Sequence, residues 1–201
     1  AHLVRDRVMD DALIAAVVRR NVYVMPNLGG AERNTHLTTP AWMDDPYLLG
    51  LLRDTVAPEV IERIRGSFKG RDAAALEPVR RTYSNMHTSL GRLNAAGARI
   101  ILGCDTGLPD HFFGYAEQRE LELMVAAGMT PAQVIIAATS RPAEYLGLRS
   151  TGTLAPGKNA DFLVLDANPL EDIRNTRRIA RIYIKGIEVD RAALRASLVK
   201  Q

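Results

Sequence analysis

An apolar run that stops at a carboxylate between two glycines, Gly97-Ala-Arg-Ile-Ile-Leu-Gly-Cys-Asp-Thr-Gly107, constrains the fold of this chain more than any other stretch. Ile100, Ile101 and Leu102 are apolar without alternation, which suits a strand covered on both faces, as in a parallel sheet. Gly103 and Gly107 permit sharp turns where such a strand ends. Asp105 then falls at the C-terminal end of a buried strand, where α/β folds carry their chemistry. A second role stays open, in which Asp105 caps a turn or the next helix.

The flanking pattern is helical on both sides. Asp10 to Arg20 carries Leu13, Ile14, Val17 and Val18 on one stripe, with Asp10 as N-cap and Arg19-Arg20 suited to the negative end of the dipole. Val22 to Pro26 reads as a strand ended by its proline. Asn34 to Pro46, rich in Thr, Pro and Asp around Trp42, reads as a long loop of the kind that shapes a substrate pocket. Asp45 to Arg53 and Pro58 to Phe68 read as short helices. From Asp72 to Ala96 the recurrence of Val79, Tyr83, Met86, Leu90 and Leu93 predicts a long helix whose stripe is core, closed by Gly97. Ala116 to Ala127 reads as another helix, closed by Gly128, and Thr130-Pro131 opens the next. Ala160 to Asp166 and Ile179 to Lys185 are strand-like. Gly186 turns into a third segment ending at Asp190, and residues 190–199 read as a closing helix.

Composition narrows the function classes. Hydrophobic content of 47% and charged content of 24% match ordinary cytosolic domains, so the expected localisation is cytoplasmic and disorder is not expected. The single cysteine, Cys104, excludes an internal disulfide framework. No apolar stretch approaches the roughly 20 residues that span a bilayer. A net charge of +3 gives no reason to expect nucleic acid as a partner. Gly152 to Lys158 superficially resembles a phosphate cradle, but its spacing is wrong and a strand follows it. The loop after Asp105, Thr106 to Gly114, is the candidate for substrate contact. There His111 would meet a substrate carboxylate or leaving group, and Phe112 and Phe113 would wall an apolar pocket. Packing of the aromatic pair onto the scaffold is the other reading of that loop.

Seven motifs, in this order, carry a resemblance to a known family: Gly103-Cys-Asp105, Ala127-Gly-Met-Thr-Pro131, Ala137-Ala-Thr139, Gly147-Leu148, Gly152-Thr-Leu-Ala-Pro-Gly-Lys158, Ala160-Asp161 and Lys185-Gly186. The chain resembles the C-terminal portion of an amidohydrolase-superfamily enzyme, of the imidazolonepropionase-related, prolidase-like branch. The resemblance covers residues 97–191 and extends to 1–30. It implies an α/β fold: the C-terminal part of a (β/α)8 TIM-type barrel over residues 1–150, strands of a small β-sandwich over 151–190, and a closing helix over 190–201.

The resemblance also implies a chemistry. Asp105 matches the aspartate after the eighth strand, which binds a divalent metal and takes a proton from the attacking water. His2 matches the metal-binding histidine after the sixth strand. Pro26-Asn-Leu28 matches the end of the seventh, with Asn27 where the family has Thr. Cys104 also stands where the family has Thr, and a thiol donates a weaker hydrogen bond, so Asp105 is expected to be less firmly oriented. The expected activity is metal-dependent hydrolysis of C–N bonds in amides, cyclic amides or dipeptide-like substrates, with zinc as the expected metal. The family's His-x-His pair is absent from the four histidines His2, His36, His87 and His111. The chain is therefore expected to need a missing N-terminal part of the same enzyme, or self-association, to be active. Its partners would be that part and a small-molecule substrate, with no nucleic acid and no membrane. The alternative is a non-catalytic scaffold or association fragment.

Overall fold

The computed structural model describes residues 2–54 and 56–199. They form two compact units, residues 1–130 and residues 131–201. Both helix and sheet occur in each unit, so the chain is a mixed α/β protein. Among the described residues no helix is long and apolar enough to cross a membrane.

The first unit is built around a short parallel pair of strands. Strand β1 (Tyr23–Val24) pairs with β2 (Arg99–Ile100) in the register Tyr23 to Arg99 and Val24 to Ile100. The strand expected over Ile100 to Leu102 is thus shorter in its ladder, with Ile101 adding one bond to the Val24 carbonyl at 2.9 Å. Parallel pairing requires a long crossover, and the helices between residues 27 and 96 provide it. Helix α1 (Asp11–Arg19) precedes β1, with the Asp10 carboxylate accepting from the Leu13 amide. Helix α2 (Leu28–Glu32) follows β1 and was not legible as a helix in the sequence. Helices α3 (Pro46–Arg53), α4 (Pro58–Gly66) and α5 (Ala73–Ala95) come next, and α6 (Ala116–Ala126) ends the unit. Asp45 and Asp72 cap α3 and α5 through their side chains.

Residues 34–46, read as a loop, include a 3-10 turn at Ala41–Asp44 that buries Trp42 and Met43. Trp42 packs on Phe112 and Tyr115, with ring centroids 5.3 and 5.1 Å away. Met43, Leu48, Leu52, Ile61, Ile64 and Phe68 complete this cluster. The α5 stripe behaves as core: Met86, Leu90 and Leu93 are wholly buried. Each such side chain contributes about 1.5–3 kcal/mol by leaving water.

The second unit carries α7 (Pro131–Ala138), α8 (Ser140–Tyr145), β3 (Phe162–Leu165), β4 (Ile179–Ile184), β5 (Ile187–Glu188) and α9 (Arg191–Val199). The three strands form an antiparallel sheet in the order β3-β4-β5. Phe162 and Tyr183, directly opposite, stack with ring centroids 4.5 Å apart. Lys185 and Gly186, both with positive φ, make the two-residue turn into β5. Leu163, Ile184 and Ile187 of this sheet are exposed. Of the expected closing segment, residues 200 and 201 lie outside the described residues.

Close helix packing gives a test of the first unit. A Cβ at Gly91 in α5 would lie 2.6 Å from the Ala127 carbonyl oxygen, a backbone atom. Gly91→Ala is expected to destabilise the chain by about 1–3 kcal/mol, because α5 must move off the turn after α6. Gly50→Ala in α3, with nothing within 4 Å of its new Cβ, should instead stabilise by up to about 1 kcal/mol through helix propensity. Urea unfolding of both variants reads the two signs, and a neutral Gly91→Ala would contradict the packing.

Candidate active site

Asp105 lies just past β2, exposed to solvent, with a left-handed backbone at φ 57°. That conformation costs a side-chain-bearing residue roughly 1–3 kcal/mol, although Asp and Asn tolerate it better than most. The carboxylate faces the first turn of α2: a Cβ at Gly30 would stand 3.7 Å from the Asp105 Cβ and 3.8 Å from Oδ2.

Two more left-handed residues sit beside it in the chain's hydrogen-bond pattern. Asn27, at φ 51° and buried, donates its backbone N–H to the Gly103 carbonyl at 3.2 Å. This bond ties the end of β1 to the turn that carries Asp105. His2, at φ 64°, donates its backbone N–H to the Met25 carbonyl at 3.0 Å. Its ring Nδ1 is 3.3 Å from the Asn27 Nδ2 and 3.5 Å from an Arg5 guanidinium nitrogen. His2 and the Asp105 turn are therefore linked through one residue, Asn27. Among the described residues, no group of three or more His, Cys, Asp or Glu side chains gathers as a cation site needs.

A buried polar layer supports these turns. The Glu120 carboxyl, fully buried on α6, accepts the Leu28 and Gly29 amides at 2.8 and 2.7 Å. Asn27, at the N-cap position of α2, makes no side-chain cap, so Glu120 satisfies amides that a helix start leaves open. Burial pushes the Glu120 acid up to about 7, against the pull of the two amides. His111, 1% exposed, brings Nε2 within 2.5 Å of the Cys104 carbonyl oxygen. A carbonyl only accepts, so Nε2 carries the proton. Gly29 separates the two groups: a Cβ there would fall 2.6 Å from His111 Cε1 and 3.3 Å from Glu120 Oε2.

The loop after Asp105 is pinned at several points. Thr106 Oγ1 donates to Glu117 at 2.8 Å and therefore accepts from the Cys104 thiol at 2.9 Å. Glu117 also takes the Gly114 amide. Arg33 pairs with Asp110 at 2.6 Å. Burial raises the Cys104 pKa.

His111 and Phe112, expected at the substrate, lie in the interior: His111 beneath α2, Phe112 against Trp42 and Tyr115. Phe113 is the exposed member of the pair, at 73%. His111 does line a small pocket, with Glu32, Arg33, His36, Trp42 and Tyr115 among its walls. Gly29 and Glu32 share one face of α2 at helical spacing, with Arg33 following at its C-cap, and Gly30, which meets Asp105, lies off that face. His36 is half-buried 4.0 Å from Glu32, and burial lowers its pKa. His87 sits against Tyr83 on α5. Sequence reasoning missed Glu120. Its signal was a carboxylate four residues from both Ala116 and Met124, inside the buried stripe of α6.

The Amidohydrolase family profile matches residues 14–189, and the chain belongs to that family. It is 40% identical over 86 residues to an imidazolonepropionase of Deinococcus deserti, spanning 42% of this chain and 21% of that one. An adenine deaminase of Methanothrix thermoacetophila is 27% identical over 171 residues, 83% of this chain and 26% of the relative. A solved structure of a Bifidobacterium longum protein described as a prolidase superposes with a TM-score of 0.64 at 30% identity, covering 98% of this chain and 44% of the other. The chain thus spans less than half the length of each of these relatives.

The buried Glu120 makes stability pH-dependent with a definite sign. Between its ordinary 4.5 and about 7, the folded chain keeps a proton that the unfolded chain has released, so stability falls as pH rises through that window. Below and above it the two states match and this contribution is flat. Glu120→Gln cannot titrate, so the stability of wild type relative to Gln should drop from pH 4.5 to 7. Urea midpoints across that range read the difference, and one that grows with pH would contradict the burial.

Proposed function

We propose that this chain is the C-terminal part of a metal-dependent hydrolase that breaks C–N bonds in amide, cyclic amide or dipeptide-like substrates. The observation that carries the reading is the left-handed Asp105 turn after β2, linked through Asn27 to His2. In this reading residues 1–150 are the last portion of a (β/α)8 barrel, residues 151–190 belong to a small β-sandwich, and residues 190–201 close the chain. The names of the relatives, two of them enzymes of imidazolone and adenine chemistry by those names and one a prolidase, support C–N hydrolysis as the class.

One carboxylate and one imidazole are donors of the kind zinc takes, but a tetrahedral ion needs four. Asp105 and His2 are proposed as two of them, and the others would come from outside the described residues or from a second copy. When bound, such an ion would polarise the substrate carbonyl as a Lewis acid. The Asp105 carboxylate accepts the proton of the attacking water, and its exposed position leaves room for both water and substrate. His111 and Phe112 back the substrate region from the interior side of the loop. A second reading, in which the chain is a non-catalytic scaffold, accords with there being no group of three or more His, Cys, Asp or Glu side chains placed for a metal among the described residues.

Asp105→Asn separates the two. Residues 1–201 alone should show no hydrolysis of amides or lactams. In the enzyme joined to its upstream residues, Asp105→Asn should lower kcat by about 10²–10⁴-fold, the usual range for losing a general base. A loss below about tenfold, or metal content unchanged by replacing both Asp105 and His2, would favour the scaffold.

A further inference from the structure

We infer that Glu120 and His111 are positioning residues: Glu120 caps α2 in place of Asn27, so that Asn27 keeps a left-handed backbone with its Nδ2 on the His2 ring, and His111 holds the Cys104 carbonyl so that Asp105 keeps its left-handed turn. The purpose rests on the proposed roles of His2 and Asp105, while the geometry stands by itself.

Asn is among the best N-caps, yet capping needs an extended backbone. Asn27 instead has φ 51° and ψ 47° and makes no side-chain cap. Its side chain is directed to the His2 ring. Two carboxyl oxygens supplied from 92 and 91 residues away take the first two amides of α2. The cap is thereby supplied from α6 rather than from the residue at the cap position, whose buried Oδ1 has no hydrogen-bond partner among the described residues, so the backbone of Asn27 need not be extended.

On the other strand, the Cys104 carbonyl and the Asp105 amide belong to one planar peptide group. A donor fixed on that carbonyl fixes the plane from which the Asp105 φ is measured. His111 Nε2–H is that donor, at 2.5 Å. The remaining pins of the loop, Glu117 on Thr106 and Gly114 and Arg33 on Asp110, hold it further along. Gly29, without a side chain, leaves room for His111 and Glu120 on the same side of α2: a Cβ there would fall 2.6 Å from His111 Cε1 and 3.3 Å from Glu120 Oε2.

Backbone couplings and Cα shifts at Asn27 and Asp105, measured by NMR in the 201-residue chain, test the inference without metal or turnover. Wild type should show left-handed signatures at both. Glu120→Gln, which keeps one acceptor, should lose the signature at Asn27 and keep it at Asp105. His111→Leu should do the reverse, and His111→Gln, which keeps an N–H donor, should restore it. Folded variants that retain both signatures overturn the inference. If His111→Leu does not fold, the through-hydrogen-bond coupling between His111 Nε2 and the Cys104 carbonyl carbon in wild type decides, and its absence overturns the role of His111. The reading of Asp105 as the general base is decided separately, by the Asp105→Asn rate. Should that reading hold, His111→Leu in the joined enzyme should lower kcat at least tenfold with KM little changed.

Discussion

The parallel pairing of β1 with β2 is the constraint from which the rest of the first unit follows. Parallel strands present their C-terminal ends at one edge, and α/β folds concentrate chemistry at that edge. The bond from the Asn27 amide to the Gly103 carbonyl continues the pairing one step beyond the regular ladder. It brings the start of α2 and the Asp105 turn to the same level. His2 joins through the Met25 carbonyl, the last station of the β1 segment before its proline. Left-handed residues thus stand at 2, 27 and 105, the latter two just past β1 and β2. A strand that ends in such a turn stops pairing abruptly, and its side chain leaves the sheet for the open edge.

Helix α6 supports this edge electrostatically from below. Besides Glu120 it carries Arg119, which bridges Glu32 at 2.7 Å and Glu122 at 2.6 Å. Arg119 therefore lies between two carboxylates, and their hydrogen bonds raise its pKa against the desolvation that would lower it. One partly buried cation sits among acids that would otherwise repel one another and the nearby Glu120. Breaking a partly buried pair of this kind leaves an uncompensated charge, and that penalty exceeds whatever the pair adds when intact. The network places α6 against α2 more than it adds stability.

Local chemistry was readable in the sequence, and contacts over long separations were not. Asp10 was legible as an N-cap, and Asp45 and Asp72, read only as helix starts, cap their helices in the same way, because an N-cap is decided within four residues. The α5 stripe followed from period, and the α6 helix from its composition and the closing Gly128. Helix α2 did not, since its five residues, two of them glycine, have poor propensity, and its first amides are satisfied from 91 and 92 residues away. The burial of His111 was equally hidden: in sequence it is a loop histidine beside aromatics, and the cover that buries it belongs to α2. Asp105, His2 and Asn27 were named through motif resemblance. That all three share one backbone conformation has no counterpart in residue type, apart from the tolerance of Asn and Asp for it.

The residues at 27 and 104, where the resemblance implies threonine, gain a physical meaning from this geometry. A threonine hydroxyl at 104 would donate to whatever lies beside the carboxylate, and replacing it by a thiol removes a strong donor. In this chain the thiol turns instead to Thr106, and the backbone carbonyl of the same residue is taken by His111. Orientation of Asp105 thus passes from a side chain to the peptide plane, which tolerates a weak side-chain donor. At 27 the change runs the other way. A β-branched threonine is a poor occupant of a left-handed turn, whereas Asn adopts one readily and carries an amide long enough to reach the His2 ring. At both positions the shape of the strand end is set by backbone conformation and by two buried polar groups.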